Sequence, residues 1–346
     1  MAGLWEGFVT QFGRSVSGSA DATVPLSLPS VEEAKGEAAP GVGDALTPDR
    51  LLPGRRAVPE QGWRRTVHRL SGGLVHPRES AAEGRRRELL ARVRTPVASG
   101  HHRVAVLSLK GGVGKTTTAV GLGSALAVVR GDRVIAVDAN PDHGTLAEKV
   151  RPETAASVRD LLAMAHRTPR YADVRACTSQ SVSSRLEVLA SARDPEVSEA
   201  FADEDYRAVV RLLENHYSIC ITDCGTGLLH SAMGAVLELT DQIVLVTIPS
   251  VAAARSASAT LDWLEAHGRG RLARSATVAL CSIRPGGTQI DVHALRSHFE
   301  RRCRAVVAVP FDAHLAEDAE IDLDLMGAGT REAFLRLAAT VGDGFE

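Results

Sequence analysis

A short apolar run, "RVAVLSL" (103–109), leads without interruption into "KGGVGKTTT" (110–118), and Thr116 to Arg130 then has the apolar density of a covered helix. Few folds accept a buried strand, a glycine turn and a helix in that order. Gly111, Gly112 and Gly114 remove side chains, so that backbone N–H groups can face phosphate oxygens, and the positive end of the following helix adds to the attraction. Lys115 would reach the β and γ phosphates, Thr116 would hold Mg²⁺, and Val113 and Thr117 would complete the loop. The usual pattern wants a further glycine at position 109; this chain has Leu109, with Lys110 after it. Lysine is scarce here: of 40 basic residues only Lys35, Lys110, Lys115 and Lys149 are lysine, and two of these lie at the loop. That placement suggests that an ammonium group is chemically required.

Beyond the loop, β and α signals alternate. Strands are expected at 103–109, 134–137 (ending at Asp138), 186–190, 217–222, 242–248, 277–281 and 305–309. Helices are expected near 116–130, 156–166, 203–215, 229–239, 252–267, 290–300 and 329–340. Strands that read as continuous apolar runs and are separated by helices imply an α/β fold, a mostly parallel central sheet covered on both faces. Ligands then belong at the carboxyl ends of the strands. With 346 residues, 44% hydrophobic and 24% charged, the chain is long enough for one such domain and an extension.

Residues 15 to about 60 are rich in Ser, Ala, Gly, Pro and Glu and read as a disordered leader. Ahead of them Leu4, Trp5, Phe8, Val9 and Phe12 fall on one face of a short helix over 3–14, either a docking peptide or a segment that folds back. From Gln61 to Arg103, ten arginines against three glutamates give a surplus of seven positive charges. This stretch reads as an arginine-rich helical arm over 61–99, which either packs beside the domain or binds an anionic partner. The α/β domain that carries the glycine loop is expected from residue 100 to 346. Five cysteines, an odd number without C-x-x-C spacing, suit reduced buried thiols in a cytoplasmic protein. The N-terminus lacks the form of a signal peptide, and no run approaches the length of a membrane span.

K-G-G-V-G-K-T, with lysine before the first glycine, resembles the variant phosphate loop of the MinD/ParA ATPases. In that family two ATP-bound subunits pair face to face, and the resemblance implies a homodimer gated by ATP in which Lys110 crosses to the partner's nucleotide. A cation supplied in trans to a transferring phosphate is worth roughly 10³ to 10⁵ in rate, by analogy with arginine fingers. Relatives have D-x-D at the second strand end, where "VDANPDHGTL" gives Asp138 and Asn140. An amide orients a water but cannot take its proton, so Asp142 is a candidate substitute and slow hydrolysis is expected. Asp223 in "ITDCGTGLLHSAM" resembles the family's switch aspartate, and Gly225 and Gly227 would donate N–H groups to the γ-phosphate. The resemblance thus places Thr116, Asp138 and Asp223 around Mg²⁺. Cys224 and Thr226 depart from the family's more usual proline and alanine; no spacing supplies Cys224 with a catalytic partner. Ser282 stands where many relatives contact adenine with asparagine, and Pro310 and Asp312 lie in a late segment resembling the loop that closes over the base. No N-K-x-D motif argues for GTP.

The set "GWRRTVHRLSGG", the phosphate loop, "VDANPDHGTL", "TDCGTGLLHSAM" and "RSASATLDWLEAHG", behind a leader, further resembles the EspI-like proteins of actinobacterial type VII (ESX) secretion. That resemblance implies a protein partner in the secretion machinery. Two other functions compete with it. A ParA-type partitioning protein would contact non-specific DNA through eight arginines between 269 and 304. A nucleotide-binding scaffold without catalysis would explain Asn140. Membrane contact is not expected, because Asp343 and Glu346 stand where a basic face would help the last helix bind lipid.

Overall fold

The computed structural model describes residues 80–140, 144–167, 169–192, 202–227, 232–284 and 290–346. The leader over 1–60, its helix at 3–14 and the arm up to residue 79 lie outside the described residues. Eight strands form one sheet: β1 His102–Leu107, β2 Val134–Ala139, β3 Ser179–Gln180, β4 Glu187–Leu189, β5 Ile219–Cys224, β6 Gln242–Thr247, β7 Thr277–Ile283 and β8 Ala305–Pro310. Their order across the sheet is β3-β4-β2-β5-β1-β6-β7-β8, parallel throughout except for the β3–β4 pair. The chain leaves β1 near the middle, goes to one side for β2 to β4, and fills the other side with β6 to β8. Crevices for ligands open where the winding reverses in this way, at the carboxyl ends of the strands.

The helices are α1 Ala81–Val93, α2 Lys115–Val129, α3 Val158–Ala163, α4 Tyr171–Arg175, α5 Asp203–Glu214, α6 Met233–Leu239, α7 Val251–Ala266, α8 Gly270–Ser275, α9 Val292–Glu300, α10 Ala313–Ala316 and α11 Ala328–Gly342. Alternate residues of each central strand serve opposite faces. Val104, Val106, Val134, Ala136, Ile219 and Ile221 meet α2 and α11 on one side. Ala105, Leu107, Ile135, Val137 and Cys220 meet α5, α6, α7 and α9 on the other. Burial on both faces is why these strands lack a polar alternation.

Three expected features differ in detail. Asp138 lies within β2 and does not follow it, because the ladder with β5 continues to Ala139↔Cys224. The predicted helix at 156–166 is a short helix followed by a 3₁₀ turn, Ala165–Arg167. The two-residue β3 and the helices α4, α8 and α10 were not anticipated; each is too short to show a period.

The described part of the arginine-rich arm is α1. Ser80 and Glu83 form a capping box at its start, with Glu83 N–H donating to Ser80 Oγ at 3.1 Å and Ser80 N–H to Glu83 Oε2 at 2.8 Å. At its other end the buried Arg130 guanidinium donates to the carbonyls of Val93 and Thr95, both at 2.7 Å, while Asp132 neutralises the charge. α1 also lies against the end of α11, where a Cβ on Gly342 would stand 2.4 Å from the Arg92 carbonyl oxygen. Gly342→Ala is therefore expected to lower stability by about 1–3 kcal/mol, the usual range for overpacking. The check is the urea midpoint at unchanged slope.

Candidate functional site

Three strand ends meet at the phosphate loop. Parallel pairing sets Asp223 of β5 beside Val106 of β1 and beside Asp138 of β2, so the two carboxylates are neighbours next to the loop after β1. Gly112 and Gly114 have φ of +70° and +89°, the left-handed region that side chains avoid, and Gly114 is the residue that starts α2. Thr118 fastens this turn from below, its N–H and hydroxyl donating to the Gly114 carbonyl at 2.8 and 2.7 Å. The loop thereby presents its backbone and the start of a long helix to the crevice.

Asp223 is the centre of the arrangement. Its Oδ1 accepts from Lys115 Nζ at 2.5 Å and its Oδ2 accepts from Thr116 Oγ1 at 2.7 Å. The Lys115 side chain is 10% exposed and that of Asp223 2%. Asp138 lies deeper and accepts from the N–H groups of Asn140 and Leu146, each at 3.1 Å. Burial, and then the neighbouring Asp223 carboxylate, push Asp138 up to about 7. Both N–H groups and the Lys115 ammonium pull the other way. A Cβ on Gly144 would stand 2.1 Å from Asp138 Oδ2, so glycine lets the chain wrap closely around this carboxylate. Two crowded carboxylates with a hydroxyl and an ammonium beside them form a donor set suited to a magnesium ion shared with phosphate. The residues present fit Mg²⁺ and a nucleotide triphosphate.

Beside the loop lies a cleft of about 290 Å³ lined by Gly112, Val113, Gly114, Thr117, Ser282, Pro310, Phe311, Asp312, Leu315 and Asp318, among others. Seven predicted base or loop residues, Gly112, Val113, Gly114, Thr117, Ser282, Pro310 and Asp312, line this one cleft. Ser282 has φ +58°, a conformation that asparagine adopts more readily than serine. The carboxylate of Asp312 is engaged within its own segment, accepting from His314 N–H at 3.0 Å and Gly327 N–H at 2.8 Å. Although burial opposes it, hydrogen bonds, chiefly from Thr330 and Gly327, hold this carboxyl below its usual range. Its geometry is that of a staple for the cleft wall.

Lys110 is exposed at the outer edge of the loop, its backbone tied to Ser108 Oγ. Gly111 is exposed beside it, and Gly225 begins the loop leaving β5. Asp142 lies outside the described residues. All five cysteines are buried as free thiols. Cys224 is fully buried, and burial pushes its thiol far up, away from the reactive thiolate. The late segment expected to close over the base also supplies Phe311, Leu315 and Asp318 to the cleft wall, though none of the three was named individually; Lys149, which is tied to Asp318, was missed. The scarcity of lysine that singled out Lys110 and Lys115 was the available signal for Lys149.

Fold and site define a nucleotide-binding α/β protein with a phosphate loop. Residues 104–215 match the CobQ/CobB/MinD/ParA nucleotide binding domain, CbiA. The chain is 32% identical over 196 residues to the septum site-determining protein MinD of Synechocystis sp., a match covering 54% of this chain and 67% of that one. The chain belongs to the MinD/ParA family. It is also 36% identical over 293 residues to the ESX-1 secretion-associated protein EspI of Mycobacterium tuberculosis, covering 84% of this chain and 43% of that protein. It thus spans less than half the length of the EspI proteins it matches. Among solved structures it shares its fold with a ParA family ATPase from Chlorobium tepidum TLS, TM-score 0.54 at 20% identity over 70% of this chain and 96% of that one. The Mg-ADP complex of MinD from Pyrococcus horikoshii OT3 gives a TM-score of 0.54 at 22% identity over 69% and 94%.

Proposed function

We propose that the protein binds Mg-ATP at this site, pairs with a second copy of itself in that state, hydrolyses ATP slowly, and acts on a component of a type VII (ESX) secretion machinery. The observation that carries the reading is the double engagement of Asp223. One buried carboxylate holds both the ammonium meant for phosphate and the hydroxyl meant for the metal. Bound Mg-ATP would supply a phosphoanhydride whose terminal group is open to water, with the metal spreading its charge. Lys115 and Thr116 would hold the phosphates and the metal, with Asp138 and Asp223 on the metal's protein side. To serve a nucleotide, Lys115 and Thr116 must give up part of their hold on Asp223. The loop after β5, beginning with Gly225, then senses what is bound. Similarity to EspI supports the secretion partner, and the exposed Lys110 supports pairing.

The alternative of DNA-associated partitioning has less support. Of its eight arginines, Arg296 pairs with Glu300 and Arg302 with Asp262, both at 2.6 Å. Arg269 and Arg304 donate to the carbonyls of Leu237 and Thr340, and Arg284 lies 3.8 Å over the Phe311 ring. The apolar side of α11 is spent too, with Phe334, Leu335, Leu337, Ala338 and Val341 buried against the sheet. Among the described residues no helix is long and apolar enough to cross a membrane. Phosphate release by the purified protein tests the catalytic half of the reading. Asn140→Asp is expected to raise turnover tenfold or more, since a positioned general base contributes about 10²–10⁴. Unchanged turnover would mean that Asn140 is not what slows the reaction, whereas no phosphate release from either protein would favour a scaffold that binds nucleotide without using it.

A further inference from the structure

The 3₁₀ turn Leu146–Lys149 is held at its two ends by two different sides of the nucleotide site. At the first residue, Leu146 N–H donates to Asp138 Oδ2 at 3.1 Å. At the last, Lys149 Nζ donates to the carbonyl oxygen of Asp318 at 2.7 Å and to its Oδ1 at 2.5 Å. The Lys149 carbonyl in turn accepts from Ile321 N–H at 2.9 Å. Asp318 belongs to the segment after β8 that walls the cleft, together with Phe311, Asp312 and Leu315. Four residues therefore span from the metal-side carboxylate to the base-side wall.

Two features show that this link is built. The Lys149 side chain is only 3% exposed although that of Asp318 is 86% exposed, and a lysine is almost never buried without a specific partner. Asp318 has φ +56°, a conformation that costs a non-glycine residue energy unless its surroundings hold it there. The buried ammonium is bonded to both the backbone and the side chain of this residue. A single turn of 3₁₀ helix offers little slack between its ends.

We propose that Lys149 is a positioning residue that couples filling of the base cleft to the placement of Asp138. The inference rests on the nucleotide reading of the site and deepens it. When a base settles the segment from Phe311 to Ile321, Lys149 fixes the turn, and the Leu146 N–H fixes the carboxylate that faces Asp223 and the metal. A ligand with phosphates but no base leaves that linkage unused.

The test titrates Mg-ATP and Mg-tripolyphosphate, which has no base, into the full chain and its Lys149→Met variant, with melting temperatures taken alongside. Wild type is expected to bind ATP more tightly than tripolyphosphate. Lys149→Met is expected to weaken ATP about tenfold, within the usual 5- to 150-fold range of coupling, and to leave tripolyphosphate within about twofold. At saturating ATP, the Mg²⁺ concentration that gives half-maximal binding of the metal should rise by a similar factor, a change that a merely loosened cleft wall would not produce. Asp318→Asn, altered at an exposed side chain, carries the same test should Lys149→Met fail to fold. Equal weakening of both ligands, or an unmoved Mg²⁺ midpoint, overturns the coupling while leaving the nucleotide site in place. Failure of wild type to bind either ligand removes the nucleotide reading and this inference with it.

Discussion

Lys115→Ala is expected to weaken Mg-ATP binding by about 30- to 5,000-fold, the equivalent of the 2–5 kcal/mol usually lost when one member of a buried charge pair is truncated. The lysine is the only ammonium that contacts the buried Asp223 among the described residues, at 2.5 Å. Its loss leaves Asp223 beside Asp138 with no adjacent cation, in a place where burial already disfavours charge. The variant should therefore also melt earlier than wild type without nucleotide. Lys115→Arg is not expected to rescue binding, because a planar fork does not replace a compact ammonium in a tight glycine loop. Titration with a fluorescent ATP analogue reads the affinity. Binding retained within threefold of wild type would mean that nucleotide, if bound at all, sits elsewhere.

The second large effect concerns the other lysine. Lys110→Ala should leave ATP affinity nearly unchanged, since this residue is exposed and its side chain makes no ion pair among the described residues. Hydrolysis, however, should fall by about 10³-fold or more, to background, if the ammonium reaches a phosphate across a dimer, by analogy with arginine fingers supplied in trans. The contrast between the two lysines is the useful part. One change removes binding, and the other removes pairing and turnover while leaving binding in place. Steady-state phosphate release at saturating ATP separates them, and a Lys110→Ala protein that turns over like wild type would place Lys110 outside the reaction.

Much of the fold and site was legible because the chemistry sits at strand ends. A short apolar run such as "RVAVLSL" followed at once by a glycine turn and a helix reads as a strand buried on both faces, and β1 occupies most of it, to Leu107; the loop, Asp138 and Asp223 are read from strand ends of this kind. The winding that brings Asp138 beside Asp223 comes from β5 inserting between β1 and β2, which no local pattern states. The parts that escaped depend on distant contacts. Lys149 and Asp318 are 169 residues apart, and nothing near either one announces the other. Asp312, named as a candidate base contact, also caps the start of α10 with its carboxylate, a use that its sequence did not announce. The five thiols were expected to be buried, and they are. The arginines between 269 and 304 show the limit of counting charge, since most of them are occupied within the domain.

The central claim is that ATP converts this chain into a pair through Lys110. Its most direct test is sedimentation of wild type and Lys110→Ala, each with ADP or a non-hydrolysable ATP analogue and with nucleotide binding measured in the same samples. The account predicts that the 36.6 kDa wild-type chain doubles its mass with the analogue alone, while Lys110→Ala binds the analogue and stays single. Wild type and variant showing the same mass under both nucleotides would contradict it.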